Sequence, residues 1–124
     1  MLTNSPFYAA LAVDDPARAK QFYTDTLGVA IDELPDGMFF LRATNGYSVF
    51  VYPKPGHVPA AHTVVNFPVD HIEDVVDRLT KAGVVFEQYD QGPLKTNEKG
   101  IAHPGPKQAW FRDPAGNILS VIEG

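Results

Sequence analysis

The sequence predicts an α+β fold made of two copies of one module, each running strand, helix, then three strands. Three observations predict it: a repeated strand-to-helix junction, a numerical repeat along the whole chain, and a closing pair of alternating strands joined by a tight turn. Leu11 and Phe67, like Val13 and Val69, stand 56 residues apart. Leu41 and Phe111, Arg42 and Arg112, Gly46 and Gly116, and Phe50 and Ser120 stand 70 apart, so the second half carries a net insertion of 14 residues. Self-similarity of this kind marks one supersecondary unit used twice.

Phe7 to Val13 alternates as a strand and stops at Asp14-Asp15-Pro16, where Asp15 suits a helix N-cap and Pro16 its first turn. The helix is predicted from Pro16 to Leu27, with Ala19, Phe22 and Tyr23 inward and Gly28 as its stop. Thr63 to Val69 repeats the strand. Asp70 with Glu73 three residues on forms a predicted capping box, and the helix Ile72 to Ala82, carrying Val75, Val76 and Leu79, ends at Gly83. The insertion falls in Asp90 to Lys107, rich in Gly, Pro, Lys and Asn and without apolar periodicity, which reads as a long loop, either a lid or disordered. Ala109 to Arg112 and Ile118 to Glu123 then read as two strands punctuated by Asp113-Pro114-Ala115-Gly116-Asn117. The expected organisation is a single domain over 1–124, with modules at about 5–55 and 61–124.

A chain of 124 residues can bury about two-thirds of its unfolded surface in a core. No apolar run approaches the ~20 residues of a membrane span, and the first residues lack a signal-peptide pattern, so no membrane partner and a cytoplasmic location are expected. The formal net charge of -5 argues against a nucleic-acid partner. The absence of cysteine removes disulfides, thiolate nucleophiles and Cys-rich zinc sites.

Neighbours in a strand point to opposite faces, so parity divides the strand residues into two sets. Leu11, Val13, Val49, Val51, Phe67, Val69, Leu119 and Val121 form the apolar set for the helices to cover. The opposite set holds Tyr8, Ala10, Phe40, Ser48, Phe50, Tyr52, Val64, Asn66, Trp110, Arg112, Ser120 and Ile122, large aromatics mixed with polar groups. That mixture suits a ligand pocket, because polar groups on a filled core face would each need a partner. Packing of the same aromatics against one another, or against a second chain, is the alternative.

The D-P-x-G-N turn between two C-terminal strands resembles the vicinal oxygen chelate superfamily, which includes glyoxalase I, extradiol dioxygenases, fosfomycin-resistance transferases and bleomycin-resistance proteins. The resemblance implies a curved mixed-sheet cup with helices on its convex side and the active site on its concave face. In metal-using members a glutamate ligand stands four residues after the turn glycine; here that residue is Ser120. The other family ligand positions fall on Tyr8, Val64 and Phe50. A catalytic divalent site needs about three converging His or carboxylate ligands, so no metal and no cofactor are expected. A shifted metal site would draw on His62 or His103, while His57 and His71 read as surface or structural groups. Ser120 has no G-x-S-x-G elbow, and Gly92-Pro93-Leu94-Lys95-Thr96 lacks the pattern of a phosphate loop, so no residue is assigned a catalytic role.

The expected function is therefore that of a metal-free glyoxalase-like protein binding a small planar, largely apolar ligand, such as an antibiotic, as bleomycin-resistance proteins do. The expected ligand-binding residues are Tyr8, Phe40, Phe50, Tyr52, Val64, Asn66, Trp110 and Ser120. The acidic net charge would suit a cationic planar ligand. One alternative is a lyase, isomerase or thiol transferase of the same fold with a rearranged or metal-free site; another is a structural interaction domain with a closed cup. A homodimer is expected, because paired modules leave sheet edges that a second chain would cover. Whether the modules pair within one chain or across a dimer stays open.

Overall fold

The computed structural model describes residues 1–103 and 105–124; Pro104, in the expected loop, lies outside them. The fold is α+β, and the chain divides into two compact units, Met1–His57 (module 1) and Val58–Gly124 (module 2). No helix among the described residues is long and apolar enough to cross a membrane.

Module 1 consists of β1 (Ala9–Val13), α1 (Pro16–Gln21), β2 (Ala30–Glu33), β3 (Phe39–Arg42) and β4 (Ser48–Pro53), in a mixed sheet of order β1-β4-β3-β2. The Asp15 carboxylate accepts from the Arg18 N–H at 3.2 Å, so the cap forms where the sequence places it. The helix continues as a π-helical turn, Phe22–Thr26, closed by a Leu27 N–H to Phe22 O bond of 3.0 Å. Gly28 then takes φ +70°, a left-handed conformation that glycine adopts without a Cβ penalty, and the helix stops. Ala19 and Tyr23 are buried with Leu11, Val13, Phe39, Leu41 and Val51, which makes the α1 side of this sheet its core.

Module 2 repeats the plan with β5 (Thr63–Val69), α2 (Ile72–Lys81), β6 (Ile101–Ala102), β7 (Gln108–Arg112) and β8 (Ile118–Glu123), in the order β5-β8-β7-β6. The registers match: Leu11 pairs with Val51 as Phe67 pairs with Val121, and Phe40 pairs with Phe50 as Trp110 pairs with Ser120. The closing turn is knit by Asp113, whose carboxylate accepts from the N–H groups of Ala115 and Asn117 and from the Asn117 side chain, each at 2.9 Å.

Module 2 departs from the expected pattern at three places. The Asp70–Glu73 capping box does not form. His71 is the N-cap without a side-chain bond, and the Glu123 carboxylate accepts from the Ile72 N–H at 3.0 Å. The parallel pairing of Val69 with Glu123 brings that carboxylate to the strand–helix corner, where the helix dipole favours it, while Glu73 turns to Lys107 at 2.6 Å. Second, the counterpart of β2 is not a full strand. Residues 84–87 bury Val84 and Phe86 and give one ladder bond, Glu87 N–H to Trp110 O at 2.8 Å, and β6 completes that edge with two residues inside the expected loop.

Third, the described part of that loop is pinned rather than loose. Tyr89 and Thr96 bond through their backbones at 2.7 Å, and the Thr96 hydroxyl accepts from the Tyr89 N–H at 2.9 Å. The Asn97 side chain accepts from the N–H groups of Lys99 and Ile101 at 2.9 and 3.0 Å. Gly100 closes this segment at φ +91°, where a Cβ would lie 2.8 Å from that of Phe86.

Candidate ligand-binding site

In module 1 the face away from α1 carries an aromatic cluster. Register sets Phe40 opposite Phe50, with Ala10 on the far side of Phe50. The Tyr8 ring meets Phe40 edge-on at 5.2 Å between centroids, Phe40 lies 5.3 Å from Phe50, and Phe50 stacks on Tyr52 at 5.7 Å. Four of the expected residues therefore come together. Tyr8, just before β1, remains 57% exposed.

In module 2 the equivalent face is polar at its centre. The Ser120 side chain, fully enclosed, donates its hydroxyl to Asn66 Oδ1 and accepts from Gln108 Nε2 at 3.1 Å. Gln108 Nε2 also lies 3.4 Å from Asn66 Oδ1, so the three side chains close a ring. Pairing of Asn66 with Ser120, and of Gln108 with Ile122 beside Trp110, produces this convergence. A cavity of about 450 Å³ opens over Asn66 and Gln108, walled by Trp110, Tyr89, Leu94 and Ile118 and rimmed by Ala61, His62 and Thr63.

Trp110 is only 7% exposed. The Tyr89 ring meets it edge-on at 5.9 Å, and Leu94 from the pinned loop stands at the same cavity. Val64 is not at the wall. The register shifts between Thr63 and Val65, so Thr63 sits opposite Ile118 and takes the place that strict alternation gives to Val64. Arg112 pairs with Glu87 at 2.6 Å and donates to Gly116 O at 3.2 Å, the counterpart of the Arg42–Asp32 pair in module 1, and serves the sheet edge.

Sequence reasoning missed Gln108, Tyr89 and Leu94. Gln108 shares parity with Trp110 and was accessible to the same count. The other two lie in a segment with no periodicity to read.

These residues do not fit the divalent metal of metal-using relatives. Phe50 and Val64 offer hydrocarbon, Tyr8 a phenol, and the Ser120 hydroxyl is already committed to Asn66. Among the described residues no three His, Asp or Glu side chains are grouped to hold a metal ion. His62 lines the cavity without a carboxylate or second imidazole on its wall, and His103 is exposed. His71 caps α2 through its backbone alone, and His57 closes the 54–57 turn, its Nε2 buried without a partner among the described residues.

The family model described as the Glyoxalase/Bleomycin resistance protein/Dioxygenase superfamily matches residues 6–121. The chain belongs to that superfamily. No protein of curated function matches the sequence. Solved structures of similar fold include TnmS3, an antibiotic binding protein from Streptomyces sp. CB03234, with 22% identity, a TM-score of 0.68 and 98% of each chain covered. Lactoylglutathione lyase from Agrobacterium tumefaciens shares 22% identity at a TM-score of 0.68, over 98% of this chain and 96% of that one. Virulence protein STM3117 from Salmonella typhimurium shares 20% identity at a TM-score of 0.68, over 99% and 98%. At these identities the likeness shows the fold alone.

Proposed function

We propose that this superfamily member binds a small planar, largely apolar molecule, an antibiotic among the candidates, in the cavity of module 2. The observation that carries the proposal is a cavity of about 450 Å³ with an aromatic and aliphatic wall and two amide side chains at its floor. Ligand sites typically combine about 300–1,000 Å³ of mostly apolar space with a few placed polar groups. TnmS3, an antibiotic binding protein of the same fold, gives the reading its precedent. Asn66 and Gln108 orient the ligand, Ser120 fixes both, and Trp110 with Tyr89 supplies the wall. The aromatic face of module 1, Tyr8, Phe40, Phe50 and Tyr52, is proposed as a second stacking surface.

Fluorescence of the only tryptophan tests this reading. Titration with a panel of planar aromatic compounds is expected to quench or shift the emission saturably for at least one of them. An emission unchanged by every compound contradicts binding at Trp110.

We also propose a homodimer. Phe7, Tyr8 and Tyr47 stand exposed around a cavity of about 760 Å³ in module 1, and β1 is an edge strand, features that a second chain can cover. Light scattering is expected to give twice the 13.6 kDa chain mass at micromolar concentration, and a clean 13.6 kDa species refutes it.

A further inference from the structure

We infer that the module 2 cavity selects an uncharged ligand presenting a hydrogen-bond donor and acceptor side by side, as on the edge of a secondary lactam, amide or imide. The inference rests on the ligand-binding reading above and names the ligand class.

Its basis is the count of hydrogen bonds in the ring of Asn66, Ser120 and Gln108. Asn66 Oδ1 accepts from Ser120 Oγ and Gln108 Nε2, and Ser120 Oγ accepts from Gln108 Nε2. Each amide spends one end inside the ring, and among the described residues Asn66 Nδ2 and Gln108 Oε1 bond to nothing. One is a donor, the other an acceptor, and both residues line the cavity. Turning both amides over and rotating the hydroxyl reverses every bond in the ring. That alternative frees the Asn66 carbonyl and the Gln108 amino group, again one donor and one acceptor. The complementary pair is thus a property of the residues and does not depend on which way the amides are set.

Charge narrows the ligand further. None of the nine lining residues is an Asp, Glu, Lys or Arg, and His62 at the rim is the one imidazole among them, so an ionic ligand would leave water with no carboxylate, ammonium or guanidinium group to meet it. The cationic ligand suggested by the chain's net charge has no carboxylate partner here. A ligand that fills the cavity but satisfies only one amide leaves the other desolvated and unpaired, which is the costly case.

The test is calorimetric titration of the full chain with three planar probes of similar size: isoquinolin-1(2H)-one, its N-methyl derivative and naphthalene. The lactam is expected to bind about tenfold or more tighter than the N-methyl compound, which lacks the donor. Naphthalene, lacking both groups, is expected to be the weakest. Asn66→Leu and Gln108→Leu are each expected to erase the lactam preference, with thermal melts reporting that the variants fold. Should either variant fail to fold, the probe series on the unaltered protein still decides. Equal affinity for all three probes overturns this inference and leaves planar-ligand binding standing. A lactam preference that survives in folded variants also overturns it, and binding of none overturns both readings.

Discussion

Phe50 in β4 and Ser120 in β8 occupy the same place in the two modules, each central in its sheet and each on the face away from the helix. Around Phe50 stand Phe40, Tyr8 and Tyr52, ring against ring. Around Ser120 stand Asn66 and Gln108, amide against hydroxyl, beneath a cavity that the counterpart of Phe40, Trp110, helps to wall. The helix sides differ little: Leu11, Val13, Leu41 and Val51 answer Phe67, Val69, Phe111 and Val121. One set of residues holds the frame and varies little between the copies, while the opposite set is free to diverge. In module 2 that freedom produces directional hydrogen bonding, and in module 1 only apolar stacking.

The largest expected consequence is at the equivalent aromatics. Trp110 is nearly enclosed, so Trp110→Ala is expected to cost about 3–5 kcal/mol of unfolding free energy. Phe40→Ala, at a half-buried position, is expected to cost about 1–2 kcal/mol. Urea denaturation of both variants measures the pair, and equal losses would mean that the two inner faces are packed alike.

The turns come next. In module 2 the Asp113 carboxylate accepts from the Ala115 and Asn117 N–H groups and from the Asn117 side chain, whereas module 1 has Ala43 at the matching place and relies on Asn45, which accepts from the Tyr47 N–H at 3.1 Å. Asp113→Ala is expected to lose about 2–3 kcal/mol, because it strands buried donors on Asn117. Asn45→Ala, at an exposed turn, is expected to lose under about 1 kcal/mol. The same denaturation experiment ranks them.

Helix capping gives a smaller contrast. Asp15→Ala and Glu123→Ala are each expected to cost about 1 kcal/mol, although one cap is local and the other arrives from the end of the chain. A silent Glu123→Ala would show that α2 is held by packing alone.

The smallest effect is a pH dependence from the Glu73–Lys107 ion pair of module 2. The hydrogen bond from Lys107 holds the Glu73 carboxyl below its ordinary value of 4.5, and Glu73 in turn raises Lys107 above its ordinary 10.5. A depressed acid contributes stability that is present above its unfolded pKa and lost as pH falls through the folded one. The pair's contribution is therefore expected to fade below about pH 4.5 on the acid side. Above the ordinary lysine range it is expected to fade again as Lys107 loses its proton. Lys107→Met is expected to flatten the acid limb of melting temperature against pH slightly, and a slope unchanged by the substitution contradicts the pairing.

Much of this frame was legible in the sequence because it rests on strict spacing. Offsets of 56 and 70 gave the paired registers, and Asp15-Pro16 and Gly28 gave the ends of the first helical segment. What escaped lies where local pattern is overruled from a distance. Glu123 caps a helix 51 residues away, a relation no local capping rule contains. Val64 and Val65 are both apolar, so the bulge that moves Thr63 to the cavity leaves no mark in the alternation. Tyr89 and Leu94 reach the site from an irregular segment held by Thr96 and Asn97, whose hydrogen bonds replace the apolar periodicity that a sequence reading follows.

The central claim is that ligand recognition resides in the hydrogen-bonding face of module 2. Amide and indole chemical shifts of isotope-labelled protein, followed during titration with isoquinolin-1(2H)-one, test it most directly. The account predicts the largest saturable shifts at Thr63, the Asn66 and Gln108 side-chain amides and the Trp110 indole, with smaller changes at Ala10, Phe40 and Phe50. Shifts concentrated on the module 1 residues, with the Asn66, Gln108 and Trp110 signals unmoved, would contradict it.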